Sequence, residues 1–163
     1  MARRKSRRPV FQRTAAGVVV NLEREEIDLV VRLVAELRGL LLTDDPRMAH
    51  LTRRLFPPAY HLADDAEADA EYQRLMRDDL VASRLTAMQH VDDTLTAGQP
   101  LSDEAMMGLL QSLNAVRLVL GTLLDVSEDQ GTDAIADDDP MVGEHHLYHF
   151  LSYLLDSAVD ALS

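Results

Sequence analysis

The sequence predicts a mainly all-α protein: a multi-helix domain of about five helices with a small N-terminal β-hairpin. Three observations predict it. Four long segments repeat apolar residues every three or four positions, the period of one helix face. Those segments open on acids, serine or proline, residue types suited to a helix start. Two short β-prone runs near the N-terminus flank a stretch containing glycine, the pattern of a hairpin.

In chain order, residues 1–9 form a basic tail, expected to be disordered, and residues 10–163 one helical domain. The hairpin runs are Pro9–Arg13 and Val18–Leu22, joined through Thr14-Ala15-Ala16-Gly17. A lone hairpin is marginal and must pack on a helix. The first helix opens at Glu23-Arg24-Glu25-Glu26 and buries Ile27, Val30, Val31, Val34, Leu37 and Leu41. Thr43-Asp44-Asp45-Pro46 ends it and starts a short helix from Pro46 to about Leu55. Phe56-Pro57-Pro58-Ala59-Tyr60 then reads as a rigid turn, because paired prolines remove donors and bias the residue before them to extended forms.

A long helix follows the acidic run Asp64-Asp65-Ala66-Glu67-Ala68-Asp69-Ala70-Glu71 and continues to about Thr96. Its apolar stripe reads Tyr72, Leu75, Met76, Leu80, Ala87, Met88, Val91 and Leu95. Ala97-Gly98-Gln99-Pro100 links it to a helix that Ser102 or Asp103 caps. That helix carries Met106, Leu109, Leu110, Leu113, Val116, Leu120, Leu123 and Leu124 on one side, with Ala115, Leu118, Val119 and Gly121 on the other. A helix that is apolar nearly all round is buried by several neighbours, so this is the expected central helix. The polar stretch Ser127–Asp139 is a loop. The last helix, Pro140 to about Leu162, buries Leu147, Phe150, Leu151, Leu154, Ala158 and Leu162. Further apolar residues (Leu29, Leu33, Leu40, Leu118, Val119, Tyr148 and Leu155) exceed what one small core needs, which points to self-association as a homo-dimer.

Composition narrows the function classes. The 163 residues contain no cysteine, which excludes a disulfide scaffold and thiol chemistry. No uninterrupted apolar run reaches membrane-spanning length, so no membrane partner is expected. No apolar core of a signal peptide follows the basic start, so the expected location is the cytoplasm. Net charge is −12, unevenly spread. Of the 16 basic residues, Arg3, Arg4, Lys5, Arg7 and Arg8 fall in the first eight positions, leaving 11 against 28 acidic ones. Such an acidic body repels nucleic acid, so any such contact is expected only through those five basic residues.

Two arginines fall on predicted core faces. Arg117 sits on the stripe of the central helix, with Asn114 and Gly121 one turn to either side. Arg84 sits between Leu80 and Met88. A buried arginine must be paired, and Asp78, Asp79 and Asp125 are the candidate counter-charges. The expected arrangement is a buried polar network of Arg84, Asn114, Arg117 and a carboxylate, structural or ligand-binding. A second constellation is Glu144, His145 and His149, with the two histidines one turn apart. It is a weak metal candidate, because catalytic zincins use HExxH and this is not that motif. There is no glycine-rich phosphate loop, Walker sequence or nucleophile elbow. No catalytic residue and no cofactor are therefore expected.

FPPAY, EYQRLMRDDLVASR, LNAVRLVLGTLLDVSED and HHLYHFLSYLLDSAV together resemble the actinobacterial family called domain of unknown function 2017, over most of the chain after the basic tail. The resemblance marks Arg84, Asn114, Arg117, Gly121 and Asp125 as the family's polar positions. It implies a non-catalytic, transcription-associated stress regulator with a sigma factor or RNA polymerase as partner. An adaptor linked to Clp proteolysis is the alternative it implies. A small metal- or ligand-binding enzyme is the remaining alternative, resting on His145, His149 and the two arginines. The redox form of the family's role needs cysteines, which this chain lacks.

Overall fold

The computed structural model describes residues 8–43, 45–52, 55, 66–124 and 142–163. Strand β1 (Phe11–Thr14) and strand β2 (Gly17–Val20) pair antiparallel, with Phe11 opposite Val20 and Thr14 opposite Gly17. Alternation turns Phe11 and Val18 into the core. The hairpin gains a third partner from the far end of the linker between the two central helices. Val18 N–H donates to the Leu101 carbonyl at 2.8 Å, and Leu101 N–H donates to the Val18 carbonyl at 2.8 Å. Gly17 makes this approach possible. Its φ is +127°, and a Cβ there would stand 2.6 Å from the Leu101 carbonyl oxygen.

Helix α1 (Arg24–Leu42) starts where the Glu26 carboxylate accepts the Glu23 N–H at 3.0 Å. It buries Val30, Leu33, Val34, Leu37 and Leu41. A 3₁₀ turn (Pro46–Met48) follows, capped by Asp45, and then the single-turn helix α2 (Ala49–Thr52). The helix expected from Pro46 to Leu55 is thus broken in two. So short a segment cannot accumulate the α-helical bonds that repay nucleation, and it takes the tighter geometry at its start. Helix α3 (Ala66–Ala97) ends at Gly98, whose φ of +66° reverses the chain. Helix α4 (Asp103–Leu123) is capped by Ser102, whose hydroxyl accepts the Ala105 N–H at 3.1 Å. Helix α5 (Val142–Leu162) closes the domain.

The expected fold class is the observed one. As its composition requires, α4 is the central helix: α1, α2, α3, α5 and β2 all touch it. Met106 and Leu113 of α4, Leu151 and Leu154 of α5, and Met88 of α3 are fully buried around it. By length and composition α4 is apolar enough to cross a membrane, yet here those residues form the centre of the domain. Arg13 ties the hairpin to the end of the bundle where α5 finishes and α4 begins. It donates to the Ala161 carbonyl at the end of α5 (3.0 Å) and to Asp103 at the start of α4 (3.1 Å). Both contacts suit the helix dipoles, cation at a C-terminus and anion at an N-terminus.

Two expectations are corrected. The stripe of α3 is buried only in its C-terminal part, at Met88, Val91 and Leu95. Tyr72, Leu75, Met76 and Leu80 are exposed. The reason is azimuth: Tyr72, Leu75, Met76 and Leu80 centre roughly 120° round the helix from Met88, Val91 and Leu95, so they turn away from the neighbours that bury those three. Length adds to this at the very start of α3, since at 1.5 Å per residue α4 reaches about 31 Å while α3 extends about 48 Å. The second correction concerns the apolar residues read as surplus. Leu33 and Leu155 are buried, and Leu29, Leu118 and Val119 pack against the core. Exposed apolar side chains lie elsewhere among the described residues: Tyr72, Leu75, Met76 and Leu80 on α3, and Leu42, Met48, Met107, Leu123, Tyr153 and Val159 on other elements. The Phe56–Tyr60 turn, the Ser127–Asp139 loop and residues 1–7 lie outside the described residues.

Candidate functional site

The polar positions of α4 come first. Arg117 is half-buried and donates from Nη2 to the Asn114 Oδ1, one turn earlier, at 3.0 Å. Gly121, one turn later, is buried. Arg84 is half-buried on α3, and that burial lowers its guanidinium below the ordinary arginine value by desolvation. It remains a cation at any physiological pH. The two arginines sit on different levels. A Cβ at Gly108 would lie 3.4 Å from Val91 and 3.6 Å from Ala87, which fixes the register of the antiparallel α3–α4 pair. From that register Arg117 lies roughly one to two turns beyond the level of Arg84. Asp78 and Asp79 are exposed, and Asp125 lies outside the described residues. Of the expected network, then, the structure joins Arg117 to Asn114.

The histidine constellation occupies the start of α5. Glu144, His145 and His149 are half-buried, and His146 is exposed. The rings of Tyr148 and His149 meet edge to face, with centroids 5.9 Å apart. Among the described residues, no three histidine or carboxylate side chains converge on a point where a metal ion would sit. Asp137, Asp138 and Asp139 lie outside them. Of the five basic tail residues, Arg8 is described, and it is exposed.

The surface features are sharper than either cluster. One is an open groove of about 570 Å³ between the end of α1, the 3₁₀ turn with α2, and the middle of α3. Leu42 and Met48 are exposed beside its apolar walls Val81 and Leu85, and Asp45 and Asp78 line it as acids. Arg47 grips Asp45 through Nε (3.2 Å) and Nη2 (2.9 Å). That grip, together with the Arg47 N–H, holds the Asp45 carboxyl below the usual carboxylate range.

The other feature is the exposed face of α3. At 100° per residue, Tyr72, Leu75, Met76 and Leu80 centre roughly 120° away from the buried Met88, Val91 and Leu95. The exposed face continues into a second groove lined by Ser83, Thr86, Ala87 and His90 of α3 with Glu104 and Gly108 of α4. Pattern reading merged two stripes into one because a slow drift in azimuth still looks periodic. Plotting each residue at 100° per position would have separated them. The groove beside α1 had no sequence signal, since three separate elements build it.

Fold and surfaces together define a helical domain that offers contact faces. Among its described residues no group of three histidine or carboxylate side chains is placed to hold a metal ion. The chain belongs to the family described as Domain of unknown function (DUF2017), whose model matches residues 5–162. No curated protein and no solved structure matches it.

Proposed function

We propose that this chain is a non-catalytic, cytoplasmic regulatory protein that acts by binding another protein, with the groove beside α1 as its docking site. The observation that carries this reading is the groove itself. It offers exposed apolar side chains, Leu42 and Met48, beside the acids Asp45 and Asp78. Apolar anchors seated in a pocket supply most of the energy of a protein contact. The rim mixes both signs of charge, with Asp45 held by Arg47 and Asp78 beside Arg77, and such a rim orients a partner more than it tightens the contact. The acidic body favours a basic partner and disfavours nucleic acid.

The family resemblance directs the choice of partner to a sigma factor or RNA polymerase, in a transcription-associated stress response. Clp components are the alternative from the same resemblance. The enzyme alternative gains no support from the described residues, where Glu144, His145 and His149 do not form a metal-holding group.

The test is site-specific photo-crosslinking in cells, with a photoreactive residue at Met48 and, as control, at the exposed Tyr153 of α5. A sigma factor or polymerase subunit crosslinked from position 48 and not from 153 supports the regulator reading. Leu42→Asp should abolish that crosslink while leaving the fold intact. A Clp component in its place moves the function to proteolytic adaptor. Equal, unselective crosslinking from both positions removes the groove as a docking site.

A further inference from the structure

We propose that the outward side of α3, together with the groove where it meets the start of α4, is a second docking surface, and that its occupant is a basic amphipathic helix of another protein. The apolar part is the first support. Leu75, Met76 and Leu80 are 59, 36 and 37% exposed. At 100° per residue, the stripe and the four groove residues of α3 (Ser83, Thr86, Ala87 and His90) fall within one arc of about 140°. The stripe therefore runs on into the groove, whose far wall is Glu104 and Gly108 of α4. From Met76 to His90 this track measures about 21 Å, close to four helical turns.

Shape narrows the class of occupant. The groove encloses about 510 Å³, and Ser83, Ala87 and Gly108 keep its lining small, so a third helix can approach α3 and α4 together. Both walls are helices, whose backbone groups are satisfied within the helix. An extended peptide thus finds no strand edge to pair with, whereas an amphipathic helix can lay an apolar face along the track.

Charge selects the sign of that helix. The arc holds Asp79 and Asp93 and no lysine or arginine, and Glu104 adds a third carboxylate from α4. All three acids are exposed. Arg77 and Arg84 share the azimuth of the buried Met88, Val91 and Leu95, and Arg74 lies opposite the track. A second copy of this chain would bring the same acids against one another, and the net charge of −12 adds to the repulsion. The chain's own residues 1–8 carry the right charge, but Met1 and Ala2 are their only apolar side chains, so they match the acids and not the stripe. A helix with leucine-like anchors flanked by lysine or arginine matches both. The interface is small, so affinity on the order of micromolar is expected. This surface does not depend on the groove beside α1, which takes Arg77, Asp78, Val81 and Leu85 from the opposite side of α3.

The probe is a labelled helical peptide of about 18 residues, leucine along one face and lysine elsewhere. A leucine–glutamate peptide of the same pattern is its counterpart. Each is titrated with the full chain and followed by fluorescence anisotropy. The lysine peptide should bind and the glutamate peptide should not. Met76→Gln with Leu80→Gln should weaken binding roughly tenfold or more. Two controls should leave it unchanged: Tyr153→Gln with Val159→Gln on α5, and Leu42→Gln in the groove beside α1. Asp79→Lys with Asp93→Lys should reverse the preference, so that the glutamate peptide binds and the lysine peptide loses roughly tenfold or more. Circular dichroism checks that each variant is folded. Absence of lysine-peptide binding at about 100 μM chain overturns the proposal. Equal weakening by either control does the same, and so does a charge-reversed chain that still prefers lysine. If the lysine peptide binds only after residues 1–8 are removed, the chain's own tail is the occupant and the proposal also falls.

Discussion

The two halves of α3 make the same amino-acid pattern do different work. In the C-terminal half, Met88, Val91 and Leu95 lie against α4 and α1 and are almost fully buried. In the N-terminal half, Tyr72, Leu75, Met76 and Leu80 recur at the same spacing and face outward. Residue type does not separate the halves, and neither does periodicity. What separates them is azimuth, roughly 120° between the two sets, and where round the helix its neighbours sit. An amphipathic stripe states that a face will be covered. It does not state that the same fold covers it.

Substitutions in the two halves should give the sharpest contrast. Met88→Ala is expected to cost about 2–5 kcal/mol in chemical denaturation, because it empties space in a closed core. Leu75→Gln should change stability by no more than about 0.5 kcal/mol at dilutions where the chain is monomeric. Equal costs at the two positions would break the comparison.

A second prediction concerns what anchors the C-terminal half. Leu101 lies just beyond the end of α3 and pairs with Val18, which depends on the close approach at Gly17. Gly17→Ala should cost about 1–3 kcal/mol from backbone strain, with the clash against the Leu101 carbonyl added. Amide hydrogen exchange should show Leu101 and Val18 losing protection first. A neutral effect would mean that the hairpin does not brace the linker.

Asn114→Ala tests the polar pair on α4. Removing the acceptor of a half-buried arginine should cost roughly 1 kcal/mol by the same denaturation measurement. Arg117→Leu should be close to neutral if the pair is a structural one at the edge of the core.

The smallest effect belongs to the Asp45–Arg47 pair. The Asp45 carboxyl is held below the ordinary carboxylate range, so its stabilising contribution is present at neutral pH. It is lost as pH falls through its folded value. Asp45→Asn should therefore lower stability slightly at pH 7 and not at all near pH 2, as read from paired denaturation curves. The pair is surface-exposed, and a large effect would be unexpected.

Much of the fold was legible because it depended on local chemistry. Glu23 with Glu26, Ser102 before α4, and Gly98 after α3 mark helix ends by the groups they satisfy. The all-round apolar character of α4 announced a central helix, and the Arg117–Asn114 pair could be read from its spacing. The site was less legible. Leu33 and Leu155 looked like surplus surface, although neighbours far away in sequence bury them. Nothing local showed that Leu101 would form a bridge with Val18 of the hairpin. The groove joins Leu42, Met48 and Leu85 from three elements, so its existence depends on tertiary placement alone.

Native-state hydrogen exchange along α3, measured residue by residue at a dilution that keeps the chain monomeric, is the most direct test of whether the helix is divided in this way. A step is expected. Amides from about Arg84 to Leu95 should exchange only by near-global unfolding, and those from about Ala68 to Leu80 by much cheaper local opening. Uniform protection from one end of α3 to the other would contradict the division, because the N-terminal half would then belong to the same core as the rest.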